Sequence, residues 1–361
     1  QGNILCMILF VDGHRIDYFN EFSVSIGYSQ IASSFAFNFL FDPDNIIHRE
    51  IVKPGAYKRC YIEDDKGNRL ITGIILDAKF SKGPVKKMIS IAGMSLTGVL
   101  DDCQIPIDNY PLQSDGLSLK QITEKLIKPF GLKLKVIDSV NNRSKSPYYK
   151  EISTKSNERI DRSVAYETQS IASYLIEIAT HKNIIITHDN FGNLLFTEAN
   201  TKQEPVIEYN DQNTLGIDFE LSYSGKSMHS SITVQRQADY NGGNAGEYTI
   251  KNPYCKEYRP KVLNQNSGND NNTKESARAA LGSELANIQL TIENKSWNVG
   301  DDLILPNSII TIIAPELSIY NKTRFFIESV TYKGDNQSRT CSITCLLPEV
   351  YENGPVKNIF E

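Results

Sequence analysis

Residues 305–345 read LPNSIITIIAPELSIYNKTRFFIESVTYKGDNQSRTCSITC, and this stretch decides the fold because its pattern also occurs earlier in the chain. Residues 54–93 read PGAYKRCYIEDDKGNRLITGIILDAKFSKGPVKKMISIAG. With a constant offset of 252 residues and no gap, Pro54 aligns with Pro306 and Phe80 aligns with Tyr332. Few residues are identical, but the strand pattern repeats throughout. We therefore predict a duplicated β-structure.

Each copy has the pattern of a small antiparallel meander. At the end of the second copy, Cys341, Ile343 and Cys345 occupy one face of a period-two strand, and the polar residues between them occupy the other. A helix would scatter these side chains around its axis. Residues 65–68 (DKGN) and 334–336 (GDN) supply the turn chemistry that reverses a strand.

The opening strands also recur, at a different offset. Alternating apolar residues at 22–28 and 35–41 predict a hairpin. An offset of 195 places Val24 on Phe219 and makes a second hairpin from residues 219–224 and 232–234. Because this offset is smaller than that of the meander, the second copy should carry an insertion between its hairpin and its meander. Convergent strand patterns are the alternative explanation of the repeat.

These patterns predict a mainly β fold with α+β insertions, in which each copy has enough strands to close a small barrel. The architecture would comprise two similar tube-type antiparallel β-barrels, a mixed α+β middle domain and an insertion in the second barrel. The predicted units are a first barrel at 1–104, a middle domain at 105–205, a second barrel at 206–236 and 297–351, an inserted loop and helix subdomain at 237–296, and a C-terminal tail at 352–361.

Helices are predicted in the middle domain and in the insertion. Ser118 and Gln121 form a capping-box pattern ahead of an apolar stripe. Residues 171–179 carry a second stripe, and a turn at 189–193 (DNFGN) then joins two short strands. A third stripe covers residues 277–288.

The composition is that of an ordinary globular protein. The chain has 361 residues, of which 40% are hydrophobic and 22% charged, which excludes wholesale disorder and favours two or three domains. A net charge of -5 without a basic stripe argues against a dedicated nucleic-acid binder. No apolar run approaches the roughly 20 residues of a membrane helix, and residues 1–12 lack a signal-peptide pattern, so we expect cytoplasmic synthesis.

Residue patterns that would indicate catalysis are weak. The six scattered cysteines are expected to be small buried hydrophobic side chains in a reducing compartment. The sequence has no P-loop, no dinucleotide fingerprint and no HExxH helix, so we predict no catalytic residue, no cofactor and no metal site. The acidic pairs at 64–65 and 301–302 lie in predicted turns, where acids are more often solvated than catalytic.

Trp297 and the segment Tyr258-Arg259-Pro260 are candidate contact residues. Trp297 could stack on a sugar, but a lone tryptophan beside a strand more often anchors a core or an interface. Arg259 could bind a carboxylate on a neighbouring chain, or the segment could be an ordinary extended stretch held by proline.

The order and spacing of these motifs resemble the baseplate hub proteins of Mu-like contractile-tailed phages. The matching segments are YRP at 258–260, the helix at 277–286, Trp297, Gly300, LPN at 305–307, and FIESV at 326–330. In the middle domain they are YET at 166–168, the helix at 171–179 and the segment 189–196. Hub relatives often have a glycine just before the threonine of the final strand. This chain has NQSR at 336–339 in its place, and this difference alters a turn.

The resemblance implies a non-enzymatic homotrimer. Hub proteins of this type alternate two tube-like barrels per subunit around a ring, so three chains give six quasi-equivalent positions. Such a ring meets a six-fold tail tube on one side and a three-fold spike on the other, and DNA passes through it. A mildly acidic chain would suit a lumen lined by carboxylates, which repel DNA.

The implied partners are the tail tube protein, the central spike protein, the tape-measure protein and baseplate wedge proteins. The resemblance implies no sequence-specific nucleic acid, no direct membrane insertion, and a location in the virion baseplate. The candidate interface residues are Tyr258, Arg259, Trp297, Val356, Ile359 and Phe360. The last three form an apolar tail end that would dock on a neighbouring subunit or on the spike.

Two other functions stay open on the sequence alone. A secreted β-rich carbohydrate-binding adhesin would use Trp297, although clustered aromatic residues are missing. A tail-associated cell-wall hydrolase would use Asp301 and Asp302.

Overall fold

The computed structural model describes residues 7–84, 87–107, 115–138, 151–160, 168–210, 213–236, 247–265, 273–335, 338–352 and 354–361. It is mainly β, as predicted, and most of its strands belong to one large and mostly antiparallel sheet. No helix within these ranges is long and apolar enough to cross a membrane.

The first part of the large sheet comes from the N-terminal third of the chain. Its strands are β1 (Ile8–Val11), β2 (His14–Ile16), β3 (Glu21–Gly27), β4 (Ser34–Leu40), β5 (Arg59–Glu63), β6 (Arg69–Lys82) and β7 (Lys87–Ser95). They lie in the order β3-β4-β7-β6-β5-β1-β2. The predicted first hairpin is confirmed, because Phe22 pairs with Phe37 and both side chains are buried. Helices α1 (Ile46–Ile51) and α2 (Val99–Asp102) complete this part.

The middle of the chain packs around a second apolar core, to which Ile31 and Leu100 of the N-terminal third also contribute. Its elements are α3 (Leu119–Ile127), β8 (Leu134–Val136), α4 (Ile152–Asn157), α5 (Ile171–His181), β9 (Ile185–His188) and β10 (Leu194–Thr197). The predicted capping box is confirmed: Gln121 N donates to Ser118 Oγ at 3.2 Å, and Ser118 N donates to Gln121 Oε1 at 2.9 Å.

The remaining elements form the second part of the large sheet, a small three-stranded sheet, the two-stranded pair β17-β18 and one helix. They are β11 (Ile207–Tyr209), β12 (Asp218–Tyr223), β13 (Ser231–Arg236), β14 (Glu247–Lys251), β15 (Pro260–Gln265), α6 (Thr273–Leu285), β16 (Ile288–Asn294), β17 (Asn298–Val299), β18 (Asp302–Leu303), β19 (Ile309–Ala314), β20 (Ile319–Asp335) and β21 (Arg339–Leu346). In the large sheet the order is β12-β16-β21-β20, with β19 and β11 following on from β20. The small sheet has the order β14-β13-β15.

The duplicated meander is confirmed at the level of single residue pairs. In both copies the pairing of the long strand with the last strand shifts at a β-bulge, at Leu76 in β6 and at Glu328 in β20. The offset of 252 relates these two residues. The residue pairs between β6 and β7 run from Ile74–Met94 to Lys82–Lys87. Adding 252 to both members of each of these pairs gives a pair that β20 and β21 also form. Because convergent alternation would not reproduce the position of a bulge, the repeat is a true structural duplication.

The alignment without a gap is wrong ahead of the long strand. In the first copy Arg59 of β5 pairs with Ile74. In the second copy Ile309 of β19 pairs with Phe326, the counterpart of Ile74, so Ile309 is the counterpart of Arg59. The offset is therefore 250 residues in β5 and 252 in β6. The connection between the two strands is two residues longer in the second copy, and such turns tolerate insertions.

The predicted second hairpin is also wrong. Strand β12 pairs with β16 and not with residues 231–236, which form β13 of the small sheet. Phe219 of β12 pairs with Ile292 at the position where Phe22 of β3 pairs with Phe37. The offset between β3 and β12 is therefore 197 residues and not 195. Residues 288–294, predicted to lie in the insertion, thus form a strand of the large sheet. Alternation specifies which face of a strand is buried but not which strand pairs with it.

Candidate assembly interfaces

A direct strand pairing joins the two parts of the large sheet, and we call it the internal joint. It runs antiparallel between residues 21–27 of β3 and residues 329–335 of β20. On its polar face the hydroxyls of Ser25 and Thr331 lie 3.0 Å apart. On its other face Val24 and Tyr332 are fully buried. The two copies therefore share one apolar core within a single chain.

Trp297 packs against the apolar face of the internal joint. Its side chain is 7% exposed, and its ring makes edge contacts with Phe22 at 5.5 Å and Tyr332 at 6.0 Å. The indole Nε1 donates to the carbonyl of Thr340 at 2.9 Å. The guanidinium carbon of Arg339 lies 4.9 Å from the ring centroid. These contacts support a role of Trp297 as an anchor between the two copies. They also bury the ring, which would have to be exposed for a sugar to stack on it.

The bulged residue Glu328 is a second element of the joint, and sequence analysis missed it. Its carboxylate is buried and accepts hydrogen bonds from the backbone N of Ser29 at 3.1 Å, from the Ser29 hydroxyl and from the Tyr351 hydroxyl. Burial and the nearby Glu328 charge raise the pKa of Tyr351, which therefore stays protonated and donates. The signal was a lone acid within the apolar run FFIESV.

Two strand edges are equivalent to those of the internal joint but have no partner strand within the described ranges. Strand β20 pairs with β19 through its first part and with β3 through its last part. Its counterpart β6 pairs with β5 through its first part, but Asp77–Lys82 pair only with β7. Similarly, β3 lies between β4 and β20, whereas its counterpart β12 pairs only with β16. We call residues 77–82 and 218–223 the two open edges.

The open edges expose apolar side chains that the internal joint covers. Phe80 is 44% exposed, whereas its counterpart Tyr332 is 0% exposed. Tyr223 is 47% exposed, whereas its counterpart Ile26 is 9% exposed. Each open edge is thus an incomplete version of a surface that is buried elsewhere in the same chain.

The predicted contact residues Tyr258 and Arg259 lie on the small sheet side of the molecule. Tyr258 is 89% exposed, so its ring is accessible to a partner. Arg259 folds back on its own chain, because its Nη1 donates to the carbonyl of Gly225 at 2.8 Å and its Nη2 donates to the carbonyl of Lys226 at 2.9 Å. The guanidinium therefore caps a turn in the free chain, and a contact of Arg259 with a neighbour remains a proposal.

The apolar C-terminal tail packs on its own subunit. Val356, Ile359 and Phe360 are partly buried against the main core. Phe360 makes edge contacts with Tyr223 at 6.2 Å and Tyr254 at 6.0 Å, and the Tyr254 hydroxyl donates to the carbonyl of Lys357 at 2.9 Å. Burial raises the pKa of Tyr254 to about 12, so this donor persists at neutral pH. Docking of the tail on a neighbour or a spike is a separate proposal.

This packing predicts that the tail stabilises the subunit itself. Phe360→Ala should lower the free energy of unfolding by about 1–2 kcal/mol, less than for a fully buried phenylalanine because the ring is only partly buried. Urea titration followed by circular dichroism measures this change. Glu361→Gln removes an exposed ion pair with Lys256 and should leave the titration unchanged. Equal stability of Phe360→Ala and the parent chain would contradict the docking seen here.

The middle of the chain contacts the first part of the sheet through His188 and its hairpin. His188 Nε2 lies 2.8 Å from the hydroxyl of Ser33, and the Thr187 hydroxyl donates to the carbonyl of Gln30 at 3.0 Å.

At the turn that follows, burial alone would raise the pKa of Asp189. Hydrogen bonds from Lys135 and Asn193 outweigh that effect and lower the pKa.

Burial lowers the pKa of His188, which makes this contact sensitive to pH. As the pH falls, His188 of the unfolded chain binds a proton near the ordinary histidine pKa of about 6.5, whereas His188 of the folded chain binds it only at lower pH. Stability should therefore decrease as the pH falls below about 6.5, by at most about 1.4 kcal/mol per pH unit for this one group. Thermal unfolding at pH 7 and pH 5 measures the slope. His188→Gln should flatten it, and His14→Gln, at an exposed position, should not.

Asp64, one of the acidic residues considered for catalysis, lies in a turn. Asp64 Oδ1 accepts from the backbone N of Lys66 at 2.9 Å and of Asn68 at 2.7 Å, so this carboxylate holds its own turn. Within the described ranges no cluster of three or more His, Cys, Asp or Glu residues could hold a metal ion. Cys60, Cys341 and Cys345 are buried free thiols, as expected, whereas Cys103 and Cys255 are only partly buried, contrary to that expectation. Cys6 lies outside the described residues. Burial raises the pKa of Cys60 and of Cys341 to about 12, so both are thiols at neutral pH.

No family model and no curated protein matches the sequence. Solved structures do match the fold over nearly the whole chain. A 43 kDa tail protein of prophage MuSo2 from Shewanella oneidensis superposes with a TM-score of 0.76 at 17% identity, over 96% of this chain and 100% of that one. A tail protein from Neisseria meningitidis MC58 superposes with a TM-score of 0.76 at 18% identity, over 96% of this chain and 98% of that one. This chain has the fold of phage tail proteins.

The tail-protein fold extends to secretion machinery. An Escherichia coli component of the type VI secretion system, described as structurally similar to T4 bacteriophage tail proteins gp27 and gp5, matches with a TM-score of 0.57 at 10% identity. The match covers 96% of this chain and 79% of that one. The resemblance to Mu-like hub proteins is thereby confirmed at the level of the fold.

Proposed function

We propose that the chain is a structural baseplate hub of a contractile phage tail or a related injection machine. In this proposal three copies form a ring in which the two halves of the large sheet alternate. The ring joins the tail tube to the central spike, and tape-measure and wedge proteins contact it in the assembled baseplate. It is a non-enzymatic component of the virion tail, synthesised in the host cytoplasm.

The observation that carries the proposal is the shared register of the two copies. An offset of 252 residues relates their last strand pairs, including the bulges at Leu76 and Glu328. Two units with the same pairing can occupy equivalent positions around a ring, so three chains can present six similar positions to a six-fold tube. The tail and type VI secretion proteins that share the fold support the same role.

The sheet face opposite the core is suited to line a channel. At the centre of the internal joint one row of paired residues on this face carries only hydroxyl side chains, those of Ser342, Thr331, Ser25 and Ser34. Charged side chains follow towards one end of the joint, with Lys333 and then Asp335 opposite Glu21. Short hydroxyl side chains leave space and carry no charge that would attract a phosphate backbone. The proposed lumen is thus hydroxyl-lined at the centre of the joint and charged at its end, and a carboxylate lining elsewhere stays a prediction.

Native mass spectrometry at micromolar protein concentration tests the proposal, together with electron-microscope images of the particle. We expect a trimer in solution and a ring with three-fold symmetry at the base of the tail. A monomer in solution, together with no three-fold ring in the particle, would overturn the proposed function.

A further inference from the structure

We propose that adjacent subunits join by strand addition between the two open edges, in the register of the internal joint. The inference rests on the proposed ring and names the surface that closes it. Residues 77–82 of β6 in one subunit pair antiparallel with residues 219–224 at and just beyond β12 in the next subunit. A second copy of this chain is thus the partner of each open edge.

The register follows from the two offsets that the structure contains. In the internal joint Thr331 of β20 pairs with Ser25 of β3. An offset of 252 converts Thr331 to Lys79, because β6 and β20 keep that offset along their pairing with β7 and β21. An offset of 197 converts Ser25 to Ser222, because β3 and β12 keep that offset in their pairing with β4 and β16. The proposed joint therefore sets Lys79 opposite Ser222.

The other positions then match in shape. Phe80 falls opposite Leu221, as Tyr332 falls opposite Val24 in the internal joint. Phe80 is 44% exposed and Leu221 is partly buried in the isolated chain, whereas Tyr332 and Val24 are both 0% exposed. Strand addition would bury these apolar side chains in an extension of the existing core. It would also satisfy the backbone N–H and C=O groups of two unpaired edges.

The charges of the two edges are complementary. The β6 edge carries Lys79 and Lys82 together with one acid, Asp77, which falls opposite Ser224 in the proposed register. The β12 edge carries Asp218 and Glu220. In the proposed register Glu220 falls opposite Ser81, diagonally adjacent to Lys79 on the same face. Opposite charges at such positions favour pairing and resist slippage of the strands.

The surfaces used on the two sides differ, so the contact is heterologous. Heterologous contacts close into a ring when the rotation between neighbours fits and otherwise give open chains. The internal joint has the additional Glu328 hydrogen bonds, whereas the bulge of β6 carries Leu76, which is 37% exposed. The joint between subunits thus lacks a counterpart of that buried carboxylate.

Cysteine cross-linking of the full chain tests the register. Lys79→Cys/Ser222→Cys places two thiols at the positions equivalent to Thr331 and Ser25, whose hydroxyls lie 3.0 Å apart. After oxidation with diamide and denaturing electrophoresis without reductant, we expect a covalent trimer. Each single variant controls for the native cysteines. Asp77→Cys/Asp218→Cys is the matched control, because six residues of strand, about 20 Å, separate these positions in the proposed register and it should not cross-link.

The outcomes distinguish this inference from the proposed function. A native trimer that does not cross-link at Lys79→Cys/Ser222→Cys, or cross-links equally at the control pair, overturns the register but leaves the ring. A covalent ladder beyond three subunits supports the register and overturns closure at three. A parent protein that is monomeric by native mass spectrometry and forms no ring in the particle overturns both.

Charge reversal gives an independent readout. Lys79→Glu places an acid beside Glu220 and should raise the dissociation constant of the assembly by about two- to fivefold per joint. Lys79→Glu/Glu220→Lys should restore the parent value, since the pair is regenerated with its signs exchanged. Failure of the double variant to recover, with both variants folded by circular dichroism, would contradict the diagonal contact.

Discussion

Trp297→Ala is expected to lower the free energy of unfolding by about 3–5 kcal/mol, the usual range for removing a buried tryptophan ring. The ring is 7% exposed and contacts Phe22 of the first copy and Tyr332 of the second. Its removal leaves a cavity at the internal joint and an unpaired carbonyl at Thr340. Because Trp297 is the only tryptophan, circular dichroism and not intrinsic tryptophan fluorescence must follow the denaturant titration.

Two further variants separate packing from hydrogen bonding at this site. Trp297→Phe keeps an aromatic ring but cannot donate to Thr340, so it should lose only about 1–2 kcal/mol. Tyr258→Ala, at a ring that is 89% exposed, should stay within about 0.5 kcal/mol of the parent. A loss below about 1 kcal/mol for Trp297→Ala would mean that the ring does not support the joint.

Gly93→Ala should destabilise the first copy by about 2–3 kcal/mol, because the new methyl group has no space. A Cβ at this position would lie 2.0 Å from the carbonyl oxygen of Ile74 and 2.6 Å from Cζ of Phe35. Gly93 pairs across the sheet with Phe35, whereas the equivalent pair in the second copy is Cys345 with Leu290. The first copy therefore combines a large ring with glycine at this pair of positions, and the second copy combines the smaller leucine side chain with cysteine.

This equivalence predicts partial rescue. Phe35→Leu/Gly93→Ala should recover about 1 kcal/mol relative to Gly93→Ala, because leucine withdraws the ring atoms that the methyl group meets. Gly225→Ala is the control, since the nearest atom to its added Cβ is 3.4 Å away. Denaturant titration of the four proteins gives the comparison. A double variant no more stable than Gly93→Ala would show that the Ile74 carbonyl alone limits the site.

Local rules predicted much of the secondary structure. The hairpin turn at 189–193 has Gly192 at a positive φ of 82° and the Asp189 carboxylate bound to the backbone of Phe191 and Asn193, as expected for DNFGN. The turn at 64–68 (DDKGN) uses the same arrangement, with Gly67 at a φ of 80°. Such turns and the capping box at Ser118 form from residues a few positions apart, so their sequence is sufficient to specify them.

The candidate contact residues were harder to place from sequence, because their partners are distant in the chain. Arg259 and the tail residue Phe360 were expected to face neighbours, which stays a prediction, and the contacts that both make with their own chain were not foreseen. Glu328 and the two open edges were not identified, since their significance depends on which strands pair. Exposure of Phe80 and burial of its counterpart Tyr332 cannot be distinguished by residue type.

By itself the sequence determined the duplication of the meander, the turns that reverse its strands and the face of each strand that is buried, since a period of two residues is a property of the chain alone. Only the tertiary structure decided that β12 pairs with β16, that β3 joins β20 and that two equivalent edges stay open. Strand pairing is a contact between distant segments, and alternating sequences of similar hydrophobicity compete for it on nearly equal terms. Packing of the whole core, including Trp297 at the joint, selects among them.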